Sequence, residues 1–227
     1  MTTKTGIDIA RLGSLPLFGS ASEEHQHKLA AAASLRTASS RTILFGEGSR
    51  VEHLFILARG AVELFSEQDE RRFTVAVVRA THAVGVSSLL AERHPLSARI
   101  LEPSELVCVP AKMMIELMGC DCGLAEAMAH KVTRESLQII DNFKKHRLLN
   151  TTARIAHWML QWESQSAGNG QIIIPFDKRV LASYLGMTPE QLSRGFATLG
   201  SAGVTVDGRM VVIGDRATLT RIARREE

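Results

Sequence analysis

The distribution of hydrophobic and polar residues divides the chain into a strand-rich region, one long helix and a second helical region. Residues 7–33 have a helical pattern, whereas residues 42–109 contain short runs of β-branched and aromatic residues separated by turn-forming stretches. Short strands at this spacing indicate an antiparallel sandwich or a barrel-like roll. The runs expected to form strands are TILF, HLFILA, AVELF, FTVAVV, ARIL and LVCV.

The stretch from Gly123 to about Lys145 predicts one long helix, because its pattern is helical and no proline or further glycine interrupts it. Its apolar residues form a stripe too long for one small domain to cover. We expect a parallel homodimer through this helix, although Lys131, Glu135 and Asn142 interrupt a strict heptad. The alternative is that the helix packs only on its own roll. The expected dimer contacts are Leu124, Met128, Val132, Ile139 and Phe143.

Residues 175–199 predict a helix-turn-helix. Apolar residues give the first helix a buried face, and Gly186 permits the turn. Thr188 followed by Pro189 favours the start of the second helix. An ordinary helical hairpin is the alternative. The apolar residues of the first helix are Val180, Leu181 and Leu185.

The second helix of this motif carries the side chains expected to contact DNA. Leu192, Phe196 and Leu199 form its buried stripe, which leaves polar residues facing outward near its start. A recognition helix meets base edges at that end, where arginine pairs with guanine, glutamate accepts from cytosine and serine contacts either. The expected contacts are Thr188, Glu190, Gln191, Ser193 and Arg194.

Two short strands follow the motif and predict the wing of a winged helix-turn-helix. Residues 204–206 and 210–213 are β-branched or apolar, and Asp207-Gly208 between them is a strong hairpin signal. A wing of this kind lies on the phosphate backbone, so Arg209 at its tip is a candidate phosphate contact. The alternative for Arg209 is a solvated turn residue.

Composition and charge agree with a DNA-binding globular protein and argue against other classes. The chain has 227 residues, of which 45% are hydrophobic and 22% charged, and shows no transmembrane run or signal peptide, so we expect no membrane partner. Residues 147–227 carry 10 basic and 7 acidic residues against 17 of each before them, so the positive excess lies in the DNA-binding part. No nucleophile–base pair, paired carboxylates or phosphate loop stands at a diagnostic spacing, which argues against an enzyme.

The three cysteines, Cys108, Cys120 and Cys122, form an odd set without the spacing of a disulfide framework. This usage indicates a reduced, cytoplasmic setting. We expect a structural or incidental role for Cys120 and Cys122, and a redox switch is the alternative.

A β-roll, a long dimer helix and a terminal winged helix-turn-helix, in this order, resemble the Crp/Fnr family of bacterial transcription regulators over essentially the whole chain. GEGSRVEHLFILARGAVELF is similar to the first roll strands, NTTARIAHWML to the entry of the DNA-binding domain, and TPEQLSR to the recognition helix. The resemblance implies an α+β fold with a cyclic-nucleotide-binding-like antiparallel β-roll at the N-terminus. The implied domains are a sensor roll at 1–122, a dimerisation helix at 123–146 and a winged helix-turn-helix at 147–227.

Within the family, Glu190, Ser193 and Arg194 match the Fnr-like recognition helix, whereas the cyclic-AMP type carries an arginine where this chain has Pro189. The resemblance therefore implies double-stranded DNA with palindromic TTGA-type half-sites, and RNA polymerase as a partner if the protein is an activator. Gly195 departs from the usual apolar residue and weakens the helix by about 1 kcal/mol. Close packing at this position would be a reason for it.

The sensor segment GVSSLLAERHPLSA, residues 85–98, lacks the charges of nucleotide-binding members. Val86 stands where those members have a ribose-binding glutamate, and Leu96 where they have a phosphate-binding arginine. Ile139 and Ile140 fall where adenine-binding hydroxyls would lie. We therefore expect no cyclic AMP binding, because a buried phosphate needs such a bidentate contact. We also expect no iron–sulfur cluster, because no cysteine precedes Cys108.

The remaining possibilities are haem with nitric oxide or carbon monoxide, a small organic effector, or control by oxidation or by the protein's abundance. An effector-independent DNA binder is a further alternative. DKRVLASYLGMTPEQLSR and the missing charges are most similar to the denitrification-type, nitric-oxide-responsive subgroup. An apolar lining suits a hydrophobic guest, and a filled core explains it equally well. The candidate pocket residues are Val84, Val86, Leu89, Leu90, Leu96, Ile139 and Ile140. The candidate haem ligands are His82 and His94, and His130 is a less favoured candidate. The alternative for each is an ordinary histidine of the surface or the core that binds no haem.

Overall fold

The computed structural model describes residues 2–69, 71–164, 170–174 and 176–224. The chain divides into two compact units, Met1–Leu137 and Gln138–Glu227. The structure therefore has a first unit rich in strands and a second unit rich in helices, each with its own sheet.

The first unit contains most of the strands and begins the long helix. Its strands are β1 (Thr2–Thr5), β2 (Ser34–Ala38), β3 (Ile43–Phe45), β4 (His53–Gln68), β5 (Arg71–Arg79), β6 (Ala83–Val84) and β7 (Ser97–Pro110). Its helices are α1 (Ile9–Gly13), α2 (Glu23–Ala32), α3 (Ala111–Met118) and the first part of α4 (Cys122–Leu148). The long helix predicted from Gly123 is thus confirmed, with one more residue at its start and about three more at its end.

The strands of the first unit form one seven-stranded sheet in the order β1-β2-β7-β4-β5, with β3 on β7 and β6 on β4. Every strand pair in it is antiparallel. The predicted antiparallel roll and the α+β class are therefore confirmed.

The sequence runs HLFILA and AVELF are two parts of the single strand β4, and ARIL and LVCV are two parts of β7. The expectation of separate short strands was wrong here because the stretches between them bulge without ending the pairing. Gly60 has φ 101°, and the β4–β7 register shifts on both sides of it. A Cβ on Gly60 would overlap Ser104 of β7, so glycine lets the two strands approach closely.

The helical pattern predicted for residues 7–33 is divided between α1 and α2, with Pro16 in the connection. Ser22 stands at the cap position of α2, but its side chain makes no capping hydrogen bond. Strands β1 and β2 were not predicted, because β1 consists of three threonines and a lysine without a hydrophobic residue, and β2 contains Thr37 as its one β-branched residue.

The buried residues of the first unit form two neighbouring clusters. One joins α1, α2, α3 and the start of α4 to the roll, and includes Phe18, Leu29, Met114 and Leu124. The other fills the interior of the roll, with Leu57, Ile100 and Leu106 fully or nearly fully buried.

The second unit holds the end of α4, four further helices and a small antiparallel sheet. The further helices are α5 (Thr151–Ser164), α6 (Lys178–Tyr184), α7 (Pro189–Leu199) and α8 (Arg216–Arg224). The strands are β8 (Gln171–Ile173), β9 (Val204–Asp207) and β10 (Met210–Ile213), in the order β8-β10-β9. Residues 166–169 of the predicted turn SAGNG and Pro175 of the predicted motif lie outside the described residues.

Local capping explains several helix starts in this unit. The Asn150 side chain accepts a hydrogen bond from the Ala153 amide at 2.9 Å and caps α5, as its sequence predicts. Helix α8 was not predicted, although Asp215 accepts from the Thr218 amide at 3.0 Å in the same way and Leu219 and Ala223 form its buried face.

No helix in the described part of the chain combines the length and the hydrophobicity that a bilayer span requires.

Candidate DNA interface and sensor segment

Helices α6 and α7 form the predicted helix-turn-helix. Asp177 caps α6 by accepting from the Arg179 amide at 2.8 Å, and Gly186 has φ 63° in the turn. One guanidinium nitrogen of Arg154 in α5 donates to the carbonyl oxygens of Leu185 and Gly186 at 2.8 and 3.2 Å. Sequence reasoning missed Arg154, which fixes the turn from outside the motif. Three apolar residues of the first helix are buried as predicted: Val180, Leu181 and Leu185.

The start of α7 is held by a capping box. The Gln191 amide donates to the Thr188 hydroxyl at 3.2 Å, and the Gln191 side chain accepts from the Thr188 amide at 2.9 Å. Both residues are exposed candidates for DNA contact, but the side chain of each accepts a hydrogen bond from the backbone amide of the other. Their observed role is to fix the first turn of the helix that carries the other candidates.

The exposed face of α7 carries Glu190, Ser193 and Arg194, all near its N-terminal end. The hydrogen bond with the Thr188 hydroxyl lowers the pKa of Glu190, and the helix amide and the Arg194 charge lower it further. Glu190 is therefore an ionised acceptor at neutral pH. The opposite face is buried, as predicted, through Leu192, Phe196 and Leu199.

Gly195 lies where α7 crosses α5. A Cβ at this position would overlap the Cδ1 atom of Ile155, which is itself fully buried. The close packing that would explain this glycine is therefore present. Ile155 was not identified from the sequence, because it lies 40 positions earlier in the chain.

The predicted wing is formed by β9 and β10, with β8 as a third strand. Asp207 pairs with Met210, so the two central residues of the turn are Gly208 and Arg209 rather than Asp207-Gly208. Gly208 has φ 55°, which suits a glycine at the first central position of a hairpin turn. Arg209 is exposed at the tip, where a phosphate could reach it.

The sensor segment 85–98 is largely filled by its own side chains. Val84, Val86 and Leu89 are almost fully buried and pack into the two core clusters of the first unit. Leu90, in contrast, is 70% exposed, so it does not line an interior pocket. Leu96 is half-buried. The remaining two pocket candidates, Ile139 and Ile140, are exposed residues of the second unit.

His94 is the most enclosed of the predicted ligands. It is 3% exposed, its ring stacks on Phe45 with centroids 3.6 Å apart, and no group of the described residues forms a hydrogen bond with its Nδ1 atom. Burial lowers the pKa of His94, so the ring is neutral at pH 7. His82 and His130 are exposed.

A polar groove of about 550 Å³ lies elsewhere on the roll, between the bulge of β4 and the middle of β7. Arg59, Glu102 and Glu105 supply its charges. No sequence motif predicts this groove, because it depends on the bulge at Gly60. None of the predicted pocket residues lines it.

The predicted dimer contacts on α4 fall into two groups. Leu124 and Met128 are buried in the core of the first unit, so they are unavailable to a partner chain. The prediction that these two residues contact the partner in a dimer is therefore wrong. Val132, Ile139 and Phe143 are exposed, the last by 63%. Further exposed apolar residues on the same helix are Leu137, Ile140 and Leu148.

Comparison with known proteins finds two matching domain families and several related proteins. The Crp-like helix-turn-helix domain matches residues 153–222, and the cyclic nucleotide-binding domain matches residues 35–119. Over 190 residues the chain is 26% identical to the transcriptional activator protein FnrA of Stutzerimonas stutzeri, covering 79% of this chain and 76% of that protein. It is 25% identical to the transcriptional activator protein anr of Pseudomonas aeruginosa over 189 residues, with 79% and 76% covered.

The fold is similar to that of FixK2 from Bradyrhizobium japonicum, with a TM-score of 0.78 and 22% identity. The alignment covers 84% of this chain and 96% of that one. The order of the two matched domains is that of the transcription regulators found in these comparisons.

Proposed function

The chain belongs to the Crp/Fnr family of DNA-binding transcription regulators, and from this premise we propose that it binds a palindromic DNA site as a homodimer. Each copy places α7 in the major groove of one half-site. The bases are contacted by Glu190, Ser193 and Arg194, and Arg209 of the wing contacts a phosphate. Such a protein binds DNA in the cytoplasm, and RNA polymerase is its partner at the genes whose transcription it activates.

One observation carries this proposal: the three polar residues share the exposed, N-terminal part of a helix whose other face is buried. Glu190 is ionised and can accept from a cytosine or adenine amino group, and Arg194 can donate two hydrogen bonds to guanine. The capping box and the close contact at Gly195 fix the helix that carries these side chains. The chemistry supports half-sites of the TTGA type.

The exposed apolar residues of α4 support the homodimer. Ile139 and Phe143 are more than half exposed, which is costly for large apolar side chains unless a partner covers them. A second copy of the same helix provides an apolar stripe of the same length. The dimer then spaces two α7 helices for two half-sites.

The test uses full-length protein and fluorescence anisotropy with a duplex that carries two inverted TTGA half-sites. We expect specific binding that weakens by about 1 to 3 kcal/mol per half-site when the guanine is replaced by adenine. A duplex with altered flanking bases is the matched control. Equal affinity for all three duplexes would overturn the assignment of α7 as the base-contacting helix.

We further propose that the sensor unit binds neither a cyclic nucleotide nor an iron–sulfur cluster. Val86 is buried where a ribose-binding carboxylate would be needed, and Leu96 supplies no charge for a phosphate. Burial raises the pKa of Cys108 to about 11, so its thiol is protonated and a poor cluster ligand. Cyclic AMP at millimolar concentration is expected to leave the unfolding temperature unchanged.

Haem is a candidate effector of the sensor unit and would allow the protein to sense nitric oxide. The observation that favours haem is the unpartnered Nδ1 atom of neutral, buried His94. His94 would be the ligand and would supply an imidazole to the iron, whereas exposed His82 lacks this enclosed environment. Titration of reduced protein with haem, followed by nitric oxide, tests this. A saturable Soret band that responds to the gas and is lost in His94→Phe supports it, and no saturable band overturns it.

A further inference from the structure

Asp121, between α3 and α4, connects three parts of the first unit through its carboxylate. One oxygen, Oδ1, accepts from the Leu124 amide at 2.9 Å and caps α4. The other, Oδ2, accepts from the Ser22 amide at 2.9 Å and lies 2.7 Å from Nδ1 of His25. These hydrogen bonds hold the pKa of Asp121 far below its ordinary value, the Leu124 amide contributing most. The carboxylate is buried and ionised.

The His25 ring links this carboxylate to a cysteine. An ionised carboxylate can only accept, so in the neutral form of the ring the proton lies on Nδ1 and a lone pair is left on Nε2. That Nε2 atom lies 3.9 Å from the sulfur of Cys120, within hydrogen-bond distance for a thiol. Cys120 is exposed. The resulting order of groups, thiol, imidazole and buried carboxylate, is the arrangement that activates a nucleophilic cysteine.

The surroundings of the Cys120 sulfur contain competing groups. The carbonyl oxygens of Glu116 and Leu117, at the end of α3, lie 3.6 and 3.5 Å away and can accept a hydrogen bond from the thiol. On α2, Lys28 pairs with Glu24 at 2.6 Å. That pair chiefly raises the pKa of Lys28, and Cys120 adds a smaller contribution. The Glu116 carboxylate faces Lys112 on its own helix.

We propose that Cys120 is a reactive thiol that is oxidised by small hydroperoxides, with His25 as its base and Asp121 as the residue that positions His25. His25 takes the thiol proton while the sulfur attacks one peroxide oxygen. The S–O bond forms, the O–O bond breaks, and the departing oxygen takes the proton from His25. With hydrogen peroxide the products are a sulfenic acid and water, so sulfur loses the two electrons that reduce the peroxide.

Cys122 is the internal control that the chain itself offers. It lies two residues after Cys120 and is also exposed, but among the described residues its thiol has no imidazole neighbour. Cys108 is buried, with its pKa raised to about 11, and serves as the unreactive reference. Because Cys122 is the first residue of α4, where a helix N-terminus itself favours a thiolate, Cys122 controls for exposure, and the change of the Cys120 rate in His25→Gln measures the effect of His25.

The experiment measures labelling of each cysteine in the reduced, full-length protein by peptide mass spectrometry. Iodoacetamide gives the thiolate reactivity over a range of pH. Hydrogen peroxide with dimedone gives sulfenic acid formation, measured in the variant Cys122→Ser so that no neighbouring thiol can consume the product. At pH 7 we expect Cys120 to react at least about tenfold faster than Cys122, because only its thiol has a base in contact.

Two variants test the assigned roles. His25→Gln is expected to lower the Cys120 rate to that of Cys122 and to leave the Cys122 rate unchanged. Asp121→Asn keeps a good helix cap, so the fold should persist, but it removes the negative charge and should change the pH–rate profile of Cys120 alone. Equal wild-type rates for the two cysteines, or a Cys120 rate that does not change in His25→Gln, would overturn the proposal.

Discussion

Helix α7 and the sensor segment 85–98 are the two stretches for which the sequence predicts ligand contacts, but their side chains lie in opposite environments. Helix α7 exposes charged Glu190 and Arg194 on a firmly packed support. The sensor segment buries apolar Val86 and Leu89 together with neutral His94. The difference indicates that the second unit presents a surface suited to a polar ligand, whereas segment 85–98 is largely part of a packed core.

The largest effect on the DNA-contacting surface is expected when the proposed dimer dissociates, because the two copies of α7 then no longer bind one palindrome together. Phe143→Glu places a charge on the exposed apolar stripe of α4, so we expect it to disrupt the dimer. Loss of the second half-site contact should weaken binding to the palindrome by about 10² to 10⁴-fold. Light scattering and anisotropy measure the two effects. Lys144→Glu, at the neighbouring exposed position, is the control and should remain dimeric.

The support beneath α7 is tested by Gly195→Ala. The added methyl group overlaps Ile155 Cδ1, and overpacking of this kind costs about 1 to 3 kcal/mol, against about 1 kcal/mol gained in helix propensity. We expect a net loss of up to about 2 kcal/mol in the free energy of unfolding in urea. Ile155→Val removes Cδ1, so the double variant should be more stable than the sum of the two single changes predicts. Simple additivity would contradict the contact.

The packed state of the sensor segment is tested through the pH dependence of stability. The pKa of His94 is lowered in the folded protein, so the unfolded chain binds a proton first as the pH falls below its ordinary value of 6.5. Stability present above that pH is therefore lost on acidification, with a slope of at most about 1.4 kcal/mol per pH unit. His94→Phe keeps a ring against Phe45 and should lose less stability between pH 7.5 and 5.5. Identical pH profiles would contradict a buried neutral ring.

The smallest expected effect concerns the wing. Arg209→Ala should weaken binding to specific and random duplexes by a similar factor of less than about tenfold, because a phosphate contact carries no sequence information. The slope of log affinity against log salt should fall by about 1. Anisotropy over a salt series measures both. A changed sequence preference would instead mean that the wing contacts bases.

Local signals in the sequence predicted the DNA-binding unit well. Thr188 and Pro189 mark the start of α7, and the spacing of Leu192, Phe196 and Leu199 defines its buried face, all within one short stretch. The long strands of the roll were less predictable, because Gly60 indicates a turn when it is considered alone. Only its close contact with Ser104 of the partner strand shows that the pairing continues.

The features that the sequence did not predict depend on residues far apart in the chain. The overlap that requires Gly195 involves Ile155 of another helix. The cluster at Cys120 joins residues 95 and 96 positions apart, so no motif spacing could identify it. Arg154, which holds the turn of the helix-turn-helix, lies outside the motif in the same way.

The central claim is that Arg194 on α7 contacts a guanine in each half-site, and selection of binding sites from a random DNA library tests it most directly. Wild-type protein is expected to enrich inverted repeats with a TTGA-type half-site. Arg194→Ala is expected to enrich repeats in which the guanine position is degenerate while the other positions persist, with affinity lower by about 1 to 3 kcal/mol. An unchanged preference for guanine in the variant, or no inverted repeat from the wild type, would contradict the account.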